Sequence, residues 1–196
     1  MRTLIYALFI GLMSINTSYA ATGGVHLEPV ELDLSDKASL QRGAKTFVNY
    51  CLSCHAASFM RYNRMAKDLG LTDQQVAENL MFASQKTGDT MTIAMHEDDA
   101  KKWFGVTPPD LSVISRARGT DWLNTYLRSF YLDDKKSTGT NNTVFKDVGM
   151  PHVLWQQQGY ASQDTSGHLS HAKGGELSPA AYNEMVADLI NFLAYI

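Results

Sequence analysis

The 196-residue chain predicts a mainly α-helical domain with long loops. Three observations carry that prediction. Apolar residues recur at intervals of three and four in several segments. Runs with strand-like alternation are weak. The stretches between helices are polar and rich in turn formers. There is no internal repeat, low-complexity tract or long linker. Removing the first 20 of 196 residues leaves 176, which suits one domain with a single core.

The elements follow in order. The chain opens MRTLIYALFIGLMSINTSYA, with one positive charge at Arg2, an apolar run over 4–13, and a more polar stretch ending Ser18-Tyr19-Ala20. That order is a secretory leader, with cleavage expected after Ala20. The apolar run is too short for a bilayer core of about 30 Å, which needs roughly 20 apolar residues. Residues 1–20 are therefore read as a signal peptide, and 21–196 as the exported domain. Without Arg2, 16 Lys and Arg stand against 20 Asp and Glu, a net charge of −4 with neutral histidines. Such a chain lacks the clustered basic face of a nucleic-acid binder. The acidic clusters Glu97-Asp98-Asp99 and Asp133-Asp134 read as solvated, with some capacity to steer a basic protein partner.

Ser35 predicts the cap of a helix over 36–50, in which Ala38, Leu40, Ala44, Phe47, Val48 and Cys51 approach helical spacing. Thr72 predicts the cap of a second, DQQVAENLMFAS, and residues 120–131 a third. The stretches KKSTGTNN (135–142) and SQDTSGHLSHAKGG (162–175) read as surface loops. Ser178 before Pro179 opens a last helix, with Tyr182, Met185, Val186, Leu189, Leu193 and Ile196 on one face.

The chemistry concentrates at YCLSCHAA, residues 50–57, which holds both cysteines of the chain. A disulfide across two intervening residues closes a tiny loop and restricts the unfolded chain little. Zinc wants about four ligands, and no second cysteine pair or H-x₃₋₅-H supplies them. A thioredoxin-type pair usually follows a strand and has no need of the histidine. Covalent haem uses every part of C-x-x-C-H: each thiol adds to one vinyl group, and the adjacent imidazole falls on the iron. Cys51 and Cys54 are therefore read as haem c attachment points and His55 as the proximal ligand.

The far side of the iron is open to Met60, Met65, Met81, Met91, Met95 and Met150, and to His96, His152, His168 and His171. A thioether gives a higher reduction potential than a second imidazole, so the choice sets the redox role. Met150 ranks first and His152 second. In DVGMPHVLW, Gly149 permits close backbone approach, and Pro151 stiffens the turn and biases Met150 towards an extended backbone.

Three segments in order, RGAKTFVNYCLSCHAASFMRYNRMAKDLGL, WFGVTPPDLSVISRARGTDWLNTYLRSFY and VFKDVGMPHVLW, resemble the cytochrome c1 family, the haem subunits of quinol–cytochrome c reductase (bc1) complexes, in bacterial form. The resemblance runs from about residue 26 to the end. It implies a cytochrome c fold around one covalently bound haem, with Met150 as sixth ligand. It also implies a propionate contact at Arg118, with Arg116 as a second candidate, and a pocket lined by Pro108 and Pro109. A buried carboxylate needs such a partner. In that fold the first and last helices cross closely, which matches Gly43 against Phe192; glycine inside a helix otherwise costs up to about 1 kcal/mol.

The function implied is one-electron transfer from the Rieske iron–sulfur protein to a soluble cytochrome c. Cytochrome b is the other partner in the complex, on the periplasmic side of the bacterial inner membrane. The haem carries the chemistry, and no catalytic turnover is expected of this chain alone. The rival readings are a free-standing periplasmic c-type electron carrier and a haem sensor or ligand-binding domain. Family members end in one membrane helix, whereas the sequence stops at Ile196 after an apolar end too short to span. The expectation is a fragment, soluble in the periplasm once the leader is cleaved.

Overall fold

The computed structural model describes residues 25–196; the expected leader lies outside the described residues. Helix α1 (Lys37–Tyr50) is capped by Asp36, not by Ser35 as the sequence predicts. The Asp36 carboxylate accepts from the Ala38 and Ser39 amides at 2.9 and 3.1 Å. Aspartate caps as well as serine and adds a negative charge at the positive end of the helix dipole. Ser35 instead donates to the Asp33 carboxylate.

Strand β1 (Ala57–Arg61) pairs antiparallel with β2 (Thr90–Met91). Between them run α2 (Tyr62–Leu69), which ends on Gly70 at φ 73°, and α3 (Asp73–Asn79). Thr72 caps α3 as expected, and Gln75 closes a capping box by reaching back to the Thr72 amide. This helix stops at Asn79, short of the predicted end at 84. Helices α4 (Glu97–Phe104), α5 (Ile114–Arg118) and α6 (Thr120–Arg128) follow.

Ser129 ends α6, its hydroxyl turned back on the Thr125 carbonyl, and β3 (Phe130–Leu132) pairs with β4 (Thr140–Asn142) in the register Phe130 to Asn142. The sequence places β4 in a surface loop. The structure buries Thr140, Asn141 and Asn142 to 4 % exposure or less, because their polar groups are consumed within the fold. Helix α7 (Trp155–Gln158) precedes a short pair, β5 (Gly159–Tyr160) with β6 (Lys173–Gly174), and the largely exposed loop at 162–172 lies between these strands. The last helix, α8 (Pro179–Tyr195), has Ser178 as its cap and Pro179 in its first turn. No helix among the described residues is long and apolar enough to cross a membrane.

The core forms where α1 crosses α8. Leu40, Ala44, Phe47 and Val48 meet Val186, Leu189, Ile190, Phe192 and Leu193, all buried. The Phe47 and Phe192 rings sit 5.5 Å apart. Gly43 is the closest point. A Cβ there would stand 2.1 Å from the Asp188 carbonyl oxygen and 2.7 Å from the Phe192 Cβ. Beside it, Arg42 grips the buried Asp188 carboxylate through two bonds of 2.6 and 2.8 Å. Gly43→Ala is therefore expected to destabilise by about 1–3 kcal/mol through overpacking, although alanine is the better helix former. A denaturant titration that shows the variant equal to or more stable than the parent would contradict this crossing.

Candidate functional site

The C-terminus of α1 presents the two thiols. The Cys51 amide still bonds the Phe47 carbonyl, and the Cys54 and His55 amides both return to the Cys51 carbonyl, at 3.0 and 2.8 Å. This tight turn brings Cys51, Cys54 and His55 to one pocket. The thiols are unpaired, and burial pushes that of Cys51 up to about 12. Redox-active and metal-binding cysteines need the opposite, a lowered pKa that favours the thiolate.

His55 is oriented by the segment that follows α4. Its Nδ1 donates to the Pro109 carbonyl at 2.8 Å. That segment is stitched to the chain just after the thiols: the Leu111 amide bonds the Ala56 carbonyl, the Ser58 amide the Asp110 carboxylate, and the Phe59 amide the Ser112 hydroxyl. Burial lowers the His55 pKa, with the Pro109 carbonyl pulling weakly the other way, so the ring is held neutral. With Nδ1 committed, the Nε2 lone pair is free for a metal, the arrangement expected of a ligating histidine.

The pocket is a cleft of about 220 Å³ lined mainly by apolar side chains from α1, α6, α8 and the loops around 104–114 and 145–153. It gathers Cys51, Cys54, His55, Pro108, Pro109, Arg118 and Met150. Arg116, on the same short helix as Arg118, is exposed and does not line it. The Arg118 guanidinium lies 5.0 Å from the Trp122 ring centroid and 5.6 Å from that of Phe145. Among the described residues it forms no ion pair with a carboxylate. An anionic group in the pocket would therefore meet an uncommitted cation.

Met150 is the one methionine in the lining; Met60, Met65 and Met91 are buried elsewhere in the core, and Met81 and Met95 lie outside the pocket. The histidine alternatives also lie outside it. His96, His168 and His171 are exposed. His152 is buried, stacked on Phe130 at 5.0 Å, with its Nε2 donating to the Gly159 carbonyl at 3.3 Å. It anchors the Met150 loop from behind. Gly149 lines the pocket and has a second close neighbour: a Cβ there would stand 2.7 Å from the Phe104 carbonyl oxygen, so its smallness admits the end of α4.

Sequence reasoning missed the groups that shape this loop. The Asn141 side-chain Oδ1 accepts from the backbone amides of Asn142 and Asp147, and the Asn142 Oδ1 from those of Val144 and Phe145. The Asn142 amide group also donates to the Tyr126 carbonyl at 2.8 Å. Tyr126 itself donates its hydroxyl to the Met150 sulfur at 3.2 Å. The adjacent NN pair was the available signal, since asparagine readily satisfies neighbouring backbone. A larger cavity of about 1050 Å³, whose lining includes His26, Arg128, His168 and His171, holds neither cysteine nor Met150 and is not this site.

An apolar lining, a neutral imidazole with a free Nε2, two unpaired thiols, a thioether and an unpaired guanidinium fit a haem with two vinyl groups and ionised propionates.

His152 generates a test of the loop. Burial brings its pKa down from 6.5 to about 4. Between those values the unfolded chain binds the extra proton, so stability falls as pH drops from 6.5 towards 4. At pH 5 the loss relative to pH 7 is about 2 kcal/mol from this one group. His152→Phe keeps the ring contact and removes the titration. Its denaturant midpoint should fall less than the parent's between pH 7 and pH 5, and equal falls would show that His152 does not contribute.

The Cytochrome C1 family model matches residues 31–195. Cytochrome c1 of Allochromatium vinosum is 50 % identical over 208 aligned positions, which cover all of this chain and 84 % of that protein. A protein named ammonia monooxygenase gamma subunit, from Nitrosomonas europaea, is 45 % identical over 197 positions, again all of this chain and 84 % of its own length. A solved chain titled "Hyperthermophilic respiratory Complex III" is 20 % identical with a TM-score of 0.41, covering 100 % of this chain and 82 % of that one. With nearly every described residue inside the family match and half the aligned positions identical to a curated member, the chain belongs to the cytochrome c1 family, the electron-transfer subunits of bc1 complexes, which carry a c-type haem in a mainly α cytochrome c fold.

Proposed function

We propose that the chain binds haem c through thioether bonds from Cys51 and Cys54, and ligates its iron with His55 and Met150. It would pass single electrons from the Rieske iron–sulfur protein to a soluble cytochrome c, on the periplasmic side of a membrane complex that also holds cytochrome b. The observation that carries this reading is the convergence of those four side chains on one apolar pocket, with the His55 Nδ1 already committed to the Pro109 carbonyl.

The bound group supplies a reversible one-electron couple, so no general acid, base or nucleophile is required of the protein. The residues hold, shield and tune. Cys51 and Cys54 would hold the group through thioether bonds at one edge of the pocket, and burial keeps the Cys51 thiol protonated in the free chain. Leu123, Leu127, Leu189 and Leu193 exclude water from the pocket. Arg118 is placed to pair a propionate. Cys54 and His55 are only half-buried, and Pro109 is exposed, so this edge is where a redox partner would approach. The secretory order of residues 1–20 supports the exported location.

A gas or ligand sensor needs a sixth position that empties easily. Here the Met150 loop is fixed by Asn141, Asn142, Gly149 and the Tyr126 hydroxyl, which favours permanent ligation. The Glu97-Asp98-Asp99 cluster is a weaker docking feature than its sequence promises. It forms the first turn of α4, where Glu97 and Asp99 pair with Lys101 and Lys102 at 3.7 and 3.4 Å.

Two measurements test the reading. Haem staining and intact mass of the denatured chain should show covalent haem in the parent and none in a Cys51→Ser/Cys54→Ser variant; haem released by denaturation of the parent would defeat the attachment. Met150→Leu keeps bulk while removing sulfur. It should lose the thioether-to-iron charge-transfer band, bind carbon monoxide when reduced, and have a lower reduction potential. A silent Met150→Leu alongside a disruptive His152→Ala would move the sixth ligand to His152.

A further inference from the structure

Tyr126 precedes Met150 by 24 residues in sequence, yet its hydroxyl lies 3.2 Å from the methionine sulfur. The ring has little freedom to place that hydroxyl elsewhere. It stacks on Trp122 at 4.9 Å and 10° between planes, and meets the edge of Phe130 at 5.2 Å. The Asn142 side chain holds the Tyr126 carbonyl from the far side. The residue is 8 % exposed. A buried hydroxyl ordinarily finds an oxygen acceptor, and a thioether is a weak one. Here the sulfur is the partner that the fold provides.

A thioether sulfur has two lone pairs. If one accepts the Tyr126 proton, the other is left for a metal, and the rotation of the methionine side chain about its sulfur is fixed. The hydrogen bond also draws electron density from the sulfur, which weakens its donation. Ferric iron depends on that donation more than ferrous iron does, so the bond favours reduction. Polar contacts to a ligating atom are a recognised lever on potential.

We infer that Tyr126 is a positioning residue for the sixth ligand: its hydroxyl engages one lone pair of the Met150 thioether, presents the other to the iron, and raises the reduction potential. This rests on Met150 being the ligand, and the experiment separates the two. Tyr126→Phe, made in the haem-loaded protein, keeps the contacts with Trp122 and Phe130 and removes only the donor. The charge-transfer band of the methionine ligand should persist. The potential should fall, with a shift in the reduction equilibrium on the order of two- to tenfold, the span of an ordinary hydrogen bond. In a Met150→Leu background the same substitution should leave the potential where Met150→Leu alone puts it, since no sulfur remains to be polarised.

An unchanged potential in Tyr126→Phe overturns the inference. So does an equal shift with and without the sulfur, which would mean that the phenol acts on the pocket at large. Absence of the band from the unsubstituted protein overturns the Met150 reading itself, and this inference with it. Band present and potential unmoved leaves Met150 as ligand and removes Tyr126 alone.

Discussion

The close crossing of α1 and α8 is the constraint on which the rest depends. Only glycine at position 43 lets the Asp188 carbonyl and the Phe192 Cβ come so near. That approach packs the Phe47 ring at a tilt against Phe192 and so fixes the end of α1, where Cys51 closes the helix and starts the turn to His55. The same crossing sends Leu189 and Leu193 of α8 into the pocket wall. Core and site are thus one packing problem. A shift of α8 would move the wall and the thiols relative to each other.

The opposite side of the pocket is held by a run of ring contacts. Arg118 lies over Trp122, Trp122 stacks on Tyr126, Tyr126 meets Phe130 edge-on, and Phe130 stacks on His152. Pairs of this kind contribute about 0.5–1.5 kcal/mol each beyond burial, and their geometry is specific. The run therefore couples the cation at one end of the pocket to the loop that carries Met150 at the other. Asn141 and Asn142 complete the loop by absorbing four backbone amides that would otherwise be stranded without partners.

What was legible in the sequence was mostly local. C-x-x-C-H is contiguous, so its chemistry needs no tertiary contact to be read. Met150 stood out because glycine and proline flank it, and the structure adds the Phe104 carbonyl as a close neighbour of Gly149. The α1–α8 crossing came from family resemblance, since nothing in a lone Gly43 points to Phe192. The long-range contacts were illegible. Tyr126 and Met150 meet across 24 residues, and the turn-forming letters of KKSTGTNN pointed to solvent when the last three residues are buried. Asparagine in a loop and asparagine supplying a buried loop with hydrogen bonds have the same local signature. Their difference lies in where the chain returns. The Ser35 cap failed more simply: two good capping residues were adjacent, and the one with the charge took the helix.

The electrostatics of the pocket bear on how an electron would be accommodated there. Tyr126 is held neutral by burial, its phenol pushed well above its usual range. His55 is held in its uncharged form by the same desolvation. Arg118 is the formally charged side chain in the lining. Neither the Tyr126 phenol, pushed up by burial, nor the His55 ring, pushed down, takes up a proton readily, so neither would compensate the arrival of an electron. The charge would be balanced by the fixed dipoles of the apolar lining, where each contact counts for more than in water, and by the exposed Arg118 guanidinium at its edge, where water screens it. A pocket built this way needs little rearrangement between oxidation states, which is the physical requirement for fast single-electron exchange.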